Sequence, residues 1–539
     1  MLLLTFPIPK NKPLKKLILL SLHIILVQGI YSQHYVSKKW DARFGGVNND
    51  YLSTICHAND GGYIIAGTSN SGISGNKTQP NWDTTLTTQD YWIVKIDVNG
   101  SYQWDKRYGG TSGDGIFSIS TTRDGGYIIG GESESDSSGD KTQNTRGGLD
   151  YWVVKIDSLG NKQWDRTFGG SNDDFLQKVT PTKDGGYILG GSSQSGISGD
   201  KTQPNWDPSE VTGDYWIVKI DSTGNKEWDK RFGGTSGDGG GDVIQTLDGG
   251  YLIGGTSGSG ISGDKTQANF GSQVNNFWIV KTDSLGNKLW DRVYGGELGE
   301  VFGNSLNTKD GNYMLGGTSY DGYSGNKTSD SCGYWLIKID KTGNKLGDWA
   351  YGNCGTMHSM SNISDGGYLL AGAVGNIYTI KVDSLMNIVW GRTSYLGPGS
   401  IFSVGALESS TGCYVVGVST NVDIGGDKTQ ASWGGYDYWI VEYCDSFPLG
   451  IQETQGDMHL LVYPNPTKGD LYINMQKDNL TEASFTLTNT TGQIIYQNTS
   501  DHLAHSYTKI IELSGLPIGV YMLAVTVDGE RIVKKVLKQ

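Results

Sequence analysis

The chain repeats itself, and that repetition limits its fold more than any other feature. Asp60-Gly61-Gly62-Tyr63 returns as Asp124 to Tyr127, Asp184 to Tyr187, Asp248 to Tyr251, Asp310-Gly311-Asn312-Tyr313 and Asp365 to Tyr368, with a worn seventh copy in Thr411-Gly412-Cys413-Tyr414. Successive copies start 64, 60, 64, 62, 55 and 46 residues apart. A period of this size marks a solenoid, a propeller or an array, in which each unit buries its apolar face against its neighbours. Within the second copy the pattern predicts four strands: A (Ile116 to Thr121), B (Tyr127 to Glu132), C (Tyr151 to Ile156) and D (Lys162 to Phe168). The Asp-Gly-Gly turn joins A to B. Asp157-Ser158-Leu159-Gly160-Asn161 joins C to D, and its Asp and Gly suit a short hairpin with one residue at positive φ. Four antiparallel strands per unit make a propeller blade.

The two ends of the array distinguish a closed ring from an open stack. The Trp-Asp and Gly-Gly signature of strand D already occurs ahead of the first copy, in Trp40-Asp41-Ala42-Arg43-Phe44-Gly45-Gly46, whereas the seventh copy stops after its strand C, Tyr438 to Tyr443. An N-terminal strand lent to the last unit closes the ring and leaves no open sheet edge. The expected fold is all-β: a seven-bladed β-propeller over residues 34–445 closed by an N-terminal strand, then a linker at 446–458 and a small Ig-like β-sandwich at 459–539. Trp92, Trp152, Trp216, Trp278, Trp335 and Trp439 on strand C, and Trp104, Trp164, Trp228, Trp290 and Trp390 on strand D, read as blade-to-blade packing.

Composition supports many tight turns in an ordered chain, with 81 Gly but only 12 Pro among 539 residues. A net charge of −13 argues against nucleic acid or an anionic membrane face as a partner. Residues 1–32 read as a secretory signal peptide: Lys10, Lys12, Lys15 and Lys16 precede the apolar run Leu17 to Val27, and Ser32 offers a small residue for cleavage. That run is shorter than the roughly 20 apolar residues of a membrane-spanning helix, and no transmembrane segment is expected in the mature chain.

Beyond the blades, Tyr463-Pro464-Asn465-Pro466, the string LTNTTGQIIYQ, the string LSGLPIGVYMLAV with Gly515, Leu516, Gly519 and Tyr521, and the basic end RIVKKVLKQ follow in order. This segment closely resembles the type A C-terminal sorting domain of cargo of the bacterial type IX secretion system. The resemblance implies that the domain engages the secretion machinery and that the protein is released or attached to the outer cell surface. The blades are similar to glycine-rich propeller repeats of such cargo, a similarity that implies no activity.

An exported chain with five Cys invites a search for pairs. Cys332 stands just before strand C of blade five and Cys354 just after strand D, facing each other across the ladder. Cys413 replaces the second Gly of the seventh turn, and Cys444 replaces the Asp that ends strand C elsewhere. The expected disulfides are 332–354 and 413–444, with Cys56 left as a buried thiol.

Strand parity puts the A–B and C–D turns at one end of every blade and the B–C and D–A connections at the other. Six B–C loops carry a version of SGDKTQ, and blade six has almost none. The loops' Lys77, Thr78, Lys141, Thr142, Lys201, Thr202, Lys265, Thr266, Lys327, Thr328, Lys428 and Thr429 are candidates for binding an extracellular glycan or protein. Loop closure by Asp or Asn side chains explains the same string without a ligand. Asp50, Asp114, Asp174, Asp238 and Glu300 recur where innermost strands begin. They either hold Ca2+ around a channel mouth or cap those strands.

Only His57 and His358 fall in the blades, with no visible nucleophile, metal set or acid–base pair around them, so no enzyme is expected. The favoured class is a secreted or surface-attached binding or scaffold protein. A polysaccharide- or peptide-acting hydrolase with its site in the channel is the alternative, because carboxylates from different blades can meet there.

Overall fold

The computed structural model describes residues 35–539 except 321, 353, 374, 397–400, 447–458, 464, 466, 477–481, 490–491, 502–505 and 528–529. The predicted signal segment and nearly all of the predicted linker lie outside the described residues. Every regular element described is a strand. Contacts divide the chain into two compact units, one of them Val36–Asp445 and the other containing Ser446–Gln539.

The first unit consists of seven four-stranded antiparallel sheets. Blade one holds Asp50–His57, Tyr63–Ser69, Asp90–Ile96 and Tyr102–Tyr108 in that spatial order, and blades two to six repeat it. In blade seven, Ile401–Glu408, Tyr414–Thr420 and Asp437–Ser446 are completed by Tyr35–Phe44 as the outermost strand. Each innermost strand touches the next around the circle, and that of blade seven touches that of blade one. The ring is therefore closed by the N-terminal strand.

The turn sequence is explained letter by letter in blade two. Asp124 Oδ1 accepts the Gly126 amide at 3.2 Å, and Asp124 Oδ2 pairs with the Lys155 ammonium of strand C at 2.7 Å. Gly125 sits at φ +83°, where a side chain is strained, and a Cβ on Gly126 would lie 2.2 Å from Ile156 O. Tyr127 then enters the core. Strand A of this blade begins at Asp114, two residues before the predicted Ile116, because Asp114 already pairs with Ser133 across the sheet. Its N–H also donates to Gln89 O of blade one at 2.8 Å.

Strand C is buried on both faces, so it reads as an unbroken apolar run rather than an alternating one. Its Trp lies between blades: Tyr91 meets Trp152, Tyr151 meets Trp216 and Tyr215 meets Trp278 at centroid distances of 4.7, 4.8 and 5.0 Å. Tyr438 of blade seven meets Trp92 of blade one at 4.9 Å, so the closing seam is packed like the rest. The strand D indoles also cross seams, Trp40 lying against Gly100 and Trp104 against Gly160 of the following blade.

In the second unit His459–Tyr463, Asp470–Gln476 and Ser506–Glu512 form one sheet. Ile494–Asp501, Glu482–Asn489, Gly519–Val527 and Glu530–Lys538 form the other. Leu471, Ile473 and Met475 from the first share one core with Phe485, Leu487, Leu523 and Val525 from the second, which makes a β-sandwich.

Candidate functional site: loop face and central channel

The lysines of the Lys-Thr-Gln loops do not reach outward as the binding expectation has it, because their ammonium groups are spent inside the fold, whereas the threonines stay exposed and bond to the neighbouring strand. Lys77, Lys141, Lys201, Lys265, Lys327 and Lys428 are each no more than 3% exposed. Lys201 Nζ donates to Ser193 Oγ at 2.9 Å, to Ser195 O at 2.6 Å and to Asn205 Oδ1, three acceptors around one ammonium. Lys77 uses Asn81 Oδ1 in the same way, Lys141 uses Ser133 and Ser135, and Lys265 uses Ser257, Ser259 and Asn269. In blade five Lys327 reaches Ser331 O, and in blade seven Lys428 reaches Val422 O and Gln430 O.

The threonines fasten the loop to the Asp of the Trp-Asp pair on strand D. Thr78 N and Oγ1 donate to Asp105 at 3.0 and 2.6 Å, and Trp92 Nε1 donates to the same carboxylate at 2.9 Å. The amides of Thr142, Thr202, Thr266 and Thr328 donate in the same way to Asp165, Asp229, Asp291 and Asp348. Blade seven takes this hub from the N-terminal strand: Thr429 N and Trp439 Nε1 donate to Asp41 at 2.8 and 3.0 Å. Gln79 Oε1 completes the loop by accepting the Arg107 amide, as Gln430 accepts that of Arg43. The repeated string is thus a clamp along the outer sheet edge.

The acidic series is corrected too. Asp50, Asp114, Asp174, Asp238 and Glu300 do not ring a channel mouth. They are buried at the seams, each no more than 2% exposed. Gly110 N and Ser135 Oγ donate to Asp114 Oδ2 at 2.8 and 3.1 Å, and Glu300 receives Gly296 N at 3.0 Å and Ser319 Oγ at 3.1 Å. The same donors recur at Asp50, Asp174 and Asp238. These carboxyls cap the D–A connection. Among the described residues no group of three or more His, Cys, Asp or Glu is arranged to hold a metal ion.

Blades diverge at the channel, which encloses 610 Å³ and is lined from all seven innermost strands. Each of those strands carries a β-bulge at one position. A bulge inserts a residue out of register and re-aims it. In blades one to six the extra residue is Ser53, Phe117, Gln177, Gly241, Gly303 and His358, and all six line the channel. Four of these blades thus put four different side-chain chemistries into one opening, and two present bare glycine backbone. This pattern is visible in the sequence only when the repeats are aligned on the bulge.

His57 and His358 both line this channel. Burial lowers both imidazoles below their ordinary value, with Glu408 opposing that shift at His57. Asp242 Oδ2 accepts Ser305 N and Oγ at 2.8 and 2.5 Å, and Lys178 stands 3.9 Å from its other oxygen. Two imidazoles and a carboxylate held by hydroxyl and amide donors suit hydrogen-bonded recognition of a polar ligand.

Cys332–Cys354 and Cys413–Cys444 are bonded as expected. Both lie in the blades that flank blade six. Cys56 is free and half-buried rather than fully buried, and desolvation pushes its thiol up to about 12. In the sandwich, Asn465 donates to Lys535 O at 2.6 Å and accepts Leu537 N at 2.9 Å, which pins the last strand. Tyr463 stacks on Tyr472, and Tyr521 donates to Pro517 O at 2.8 Å. Leu516 leans on the core, while Gly515 and Gly519 have open space around them. Pro464 and Pro466 lie outside the described residues.

Residues 461–539 match the family described as the secretion system C-terminal sorting domain. The chain is therefore an all-β propeller protein carrying a type IX sorting domain, a class that is secreted or held on the outer surface. Regulatory protein FlaEY of Caulobacter vibrioides is 25% identical over 158 residues, 28% of this chain and 16% of that protein, so the chain spans about a sixth of that relative. Among solved structures, PorZ of Porphyromonas gingivalis, described as a surface component of the type IX secretion system, is similar at 12% identity and TM-score 0.42, covering 92% of this chain and 60% of that one. Virginiamycin B lyase from Staphylococcus aureus is similar at 10% and 0.42, covering 76% and 99%. The Pan2 WD40 domain of Neurospora crassa is similar at 12% and 0.42, covering 78% and 100%.

Proposed function

We propose that the propeller is an extracellular binding module, delivered by its sorting domain, that recognises a polar glycan or protein segment at the channel. The observation that carries this reading is the bulge series. A frame that repeats its turns, clamps and seams almost unchanged presents Ser53, Phe117, Gln177 and His358 from blades one, two, three and six into one opening. Stability alone asks for no such variety, whereas a single asymmetric site needs it.

The test is a glycan and peptide array with the secreted chain, repeated with Phe117→Ala and His358→Ala. Each substitution is expected to weaken retention by about tenfold or more. Retention unchanged in both would remove the channel from the binding surface. An activity screen on the same ligands decides the rival hydrolase reading: turnover abolished by His57→Gln or His358→Gln favours catalysis, and binding without turnover favours recognition.

A further inference from the structure

Each acidic residue that opens strand A has a counterpart that opens strand C of the preceding blade. Around the ring the pairs are Asp437 with Asp50, Asp90 with Asp114, Asp150 with Asp174, Asp214 with Asp238, and Asn276 with Glu300. Backbone hydrogen bonds hold the two positions together: Asp114 N donates to Gln89 O, beside Asp90, and Asp174 N donates to Leu149 O, beside Asp150. At the last two seams both members change together, to Gly333 with Thr356 and Ile377 with Ile401. Acids that merely capped their own strands would have no reason to disappear in pairs.

The Asn276 seam shows what the pair does. Asn276 Oδ1 accepts the Phe270 amide at 2.8 Å and its Nδ2 donates to Glu300 Oε2 at 2.7 Å. In the four all-Asp seams the first of these bonds is kept: Trp82 N, Arg146 N, Trp206 N and Trp433 N donate to Oδ2 of Asp90, Asp150, Asp214 and Asp437. The second has no donor. Oδ1 of Asp90, Asp150, Asp214 and Asp437 is buried without a hydrogen-bond partner, whereas the strand A carboxyls also have a serine hydroxyl beside them. An amide donor in one seam corresponds to an unpartnered carboxyl oxygen in each of the other four.

We propose that each of these four seams binds one proton, carried by the strand C aspartate and donated to the strand A carboxylate of the next blade. A protonated Asp is isosteric with Asn, so the strand C residue then offers a donor in all five seams, to Glu300 in one and to the shorter Asp in the other four.

Basic groups also face each pair. They are Lys77, Lys141 and Arg107 at Asp90/Asp114; Lys141, Lys201 and Arg146 at Asp150/Asp174; Lys201, Lys265 and Arg231 at Asp214/Asp238; and Lys77, Lys428 and Arg43 at Asp437/Asp50. Ser69, Ser133, Ser193 and Ser257 face the strand A members, and Tyr91, Tyr151, Tyr215 and Tyr438 lie behind them. Arg107 and Arg231 approach only the Oδ2 side of Asp90 and Asp214, at 3.8 and 3.6 Å, and leave Oδ1 unserved. Burial, with the neighbouring acid adding to it, pushes Asp90, Asp150 and Asp437 up to about 7 and Asp214 to about 6. The folded chain then holds protons that the unfolded chain has released above about pH 4, so stability falls as pH rises from about 4 to about 7 and levels off beyond.

The test is thermal unfolding of the full chain from about pH 5 to pH 9, for the parent, Asp90→Asn, Asp114→Asn and the double variant, alongside infrared spectroscopy of the parent and of a variant with all four strand C aspartates changed to Asn. The parent is expected to lose melting temperature with rising pH. Each single variant keeps the seam bond with a fixed donor and melts above the parent at alkaline pH. The double variant, with two amides facing, melts below either single one. A protonated-carboxyl absorption present at neutral pH in the parent is lost in the four-site variant. A parent profile flat across the range, a double variant no worse than the singles, or a seam rescued by Ca2+ and weakened by chelator would each overturn the proposal, the last by making the bound species a metal cation.

Discussion

At the scale of single residues, the loop lysines carry the clearest lesson. Lys201 has the sequence context of an exposed, ligand-seeking side chain, yet its ammonium is enclosed by acceptors from its own loop and strand. Removing a buried charge partner leaves desolvated acceptors behind and costs more than the bond itself contributes. Lys201→Met is therefore expected to lower unfolding free energy by about 3 kcal/mol in a denaturant titration, while array binding by the folded fraction stays unchanged. The string SGDKTQ is legible as a repeat, but its partners are not, because Asp229 and Ser193 come from strands that only the folded blade brings alongside the loop. The seam pairs were half legible: Asp50 and its equivalents stand out by period, whereas Asp437 and its equivalents become meaningful only when blade seven is set against blade one.

At the scale of elements, the N-terminal strand Tyr35–Phe44 does more than fill a vacancy. Strand C elsewhere carries a Lys that pairs with the Asp of the A–B turn, as Lys95 pairs with Asp60 at 2.8 Å. Blade seven has Thr411 at the turn and Glu442 on strand C, and the closing strand supplies Lys39, 3.0 Å from the fully buried Glu442 carboxylate. The charge is reversed and the pairing is redirected to the outer neighbour, which makes the seventh strand C specific for the N-terminal ribbon. Lys39→Glu is expected to weaken closure, and adding Glu442→Lys to restore part of the loss. A double-mutant cycle on unfolding free energy would then give a coupling of about 1 kcal/mol, and a coupling near zero would show that shape alone selects the strand. Blade six, with its missing B–C loop, lacks the clamp found elsewhere, and the two disulfides sit in the blades on either side of it. The cysteine pairing could be derived from strand order, since each pair spans adjacent strands once the hairpins are placed.

At the scale of the whole molecule, two sets of carboxyls act in opposite directions on pH. Those of the A–B turns are held below their ordinary range, Asp124 and Asp184 at about 2, by hydrogen bonds and ion pairs to Thr122 and Lys155 and to Thr182 and Lys219 that outweigh burial. A lowered value contributes stability that is lost as pH falls through it, whereas the raised seam pairs lose theirs as pH rises. From these two sets the melting temperature of the full chain is expected to peak near about pH 4, and a maximum above neutrality would contradict the assignment of the seams.

The sequence by itself determined the repeat number, the strand order within a blade, the closure by Trp40 and Asp41, the cysteine pairs and the sorting domain, because each follows from spacing along the chain. Only the tertiary structure decided that the loop lysines are interior while the exposed threonines are tied to strand D, that the acids meet across seams, and that the bulge residues share one channel. Burial and unpaired atoms are properties of chain segments brought together from different blades, and no local pattern encodes which neighbour will cover a side chain.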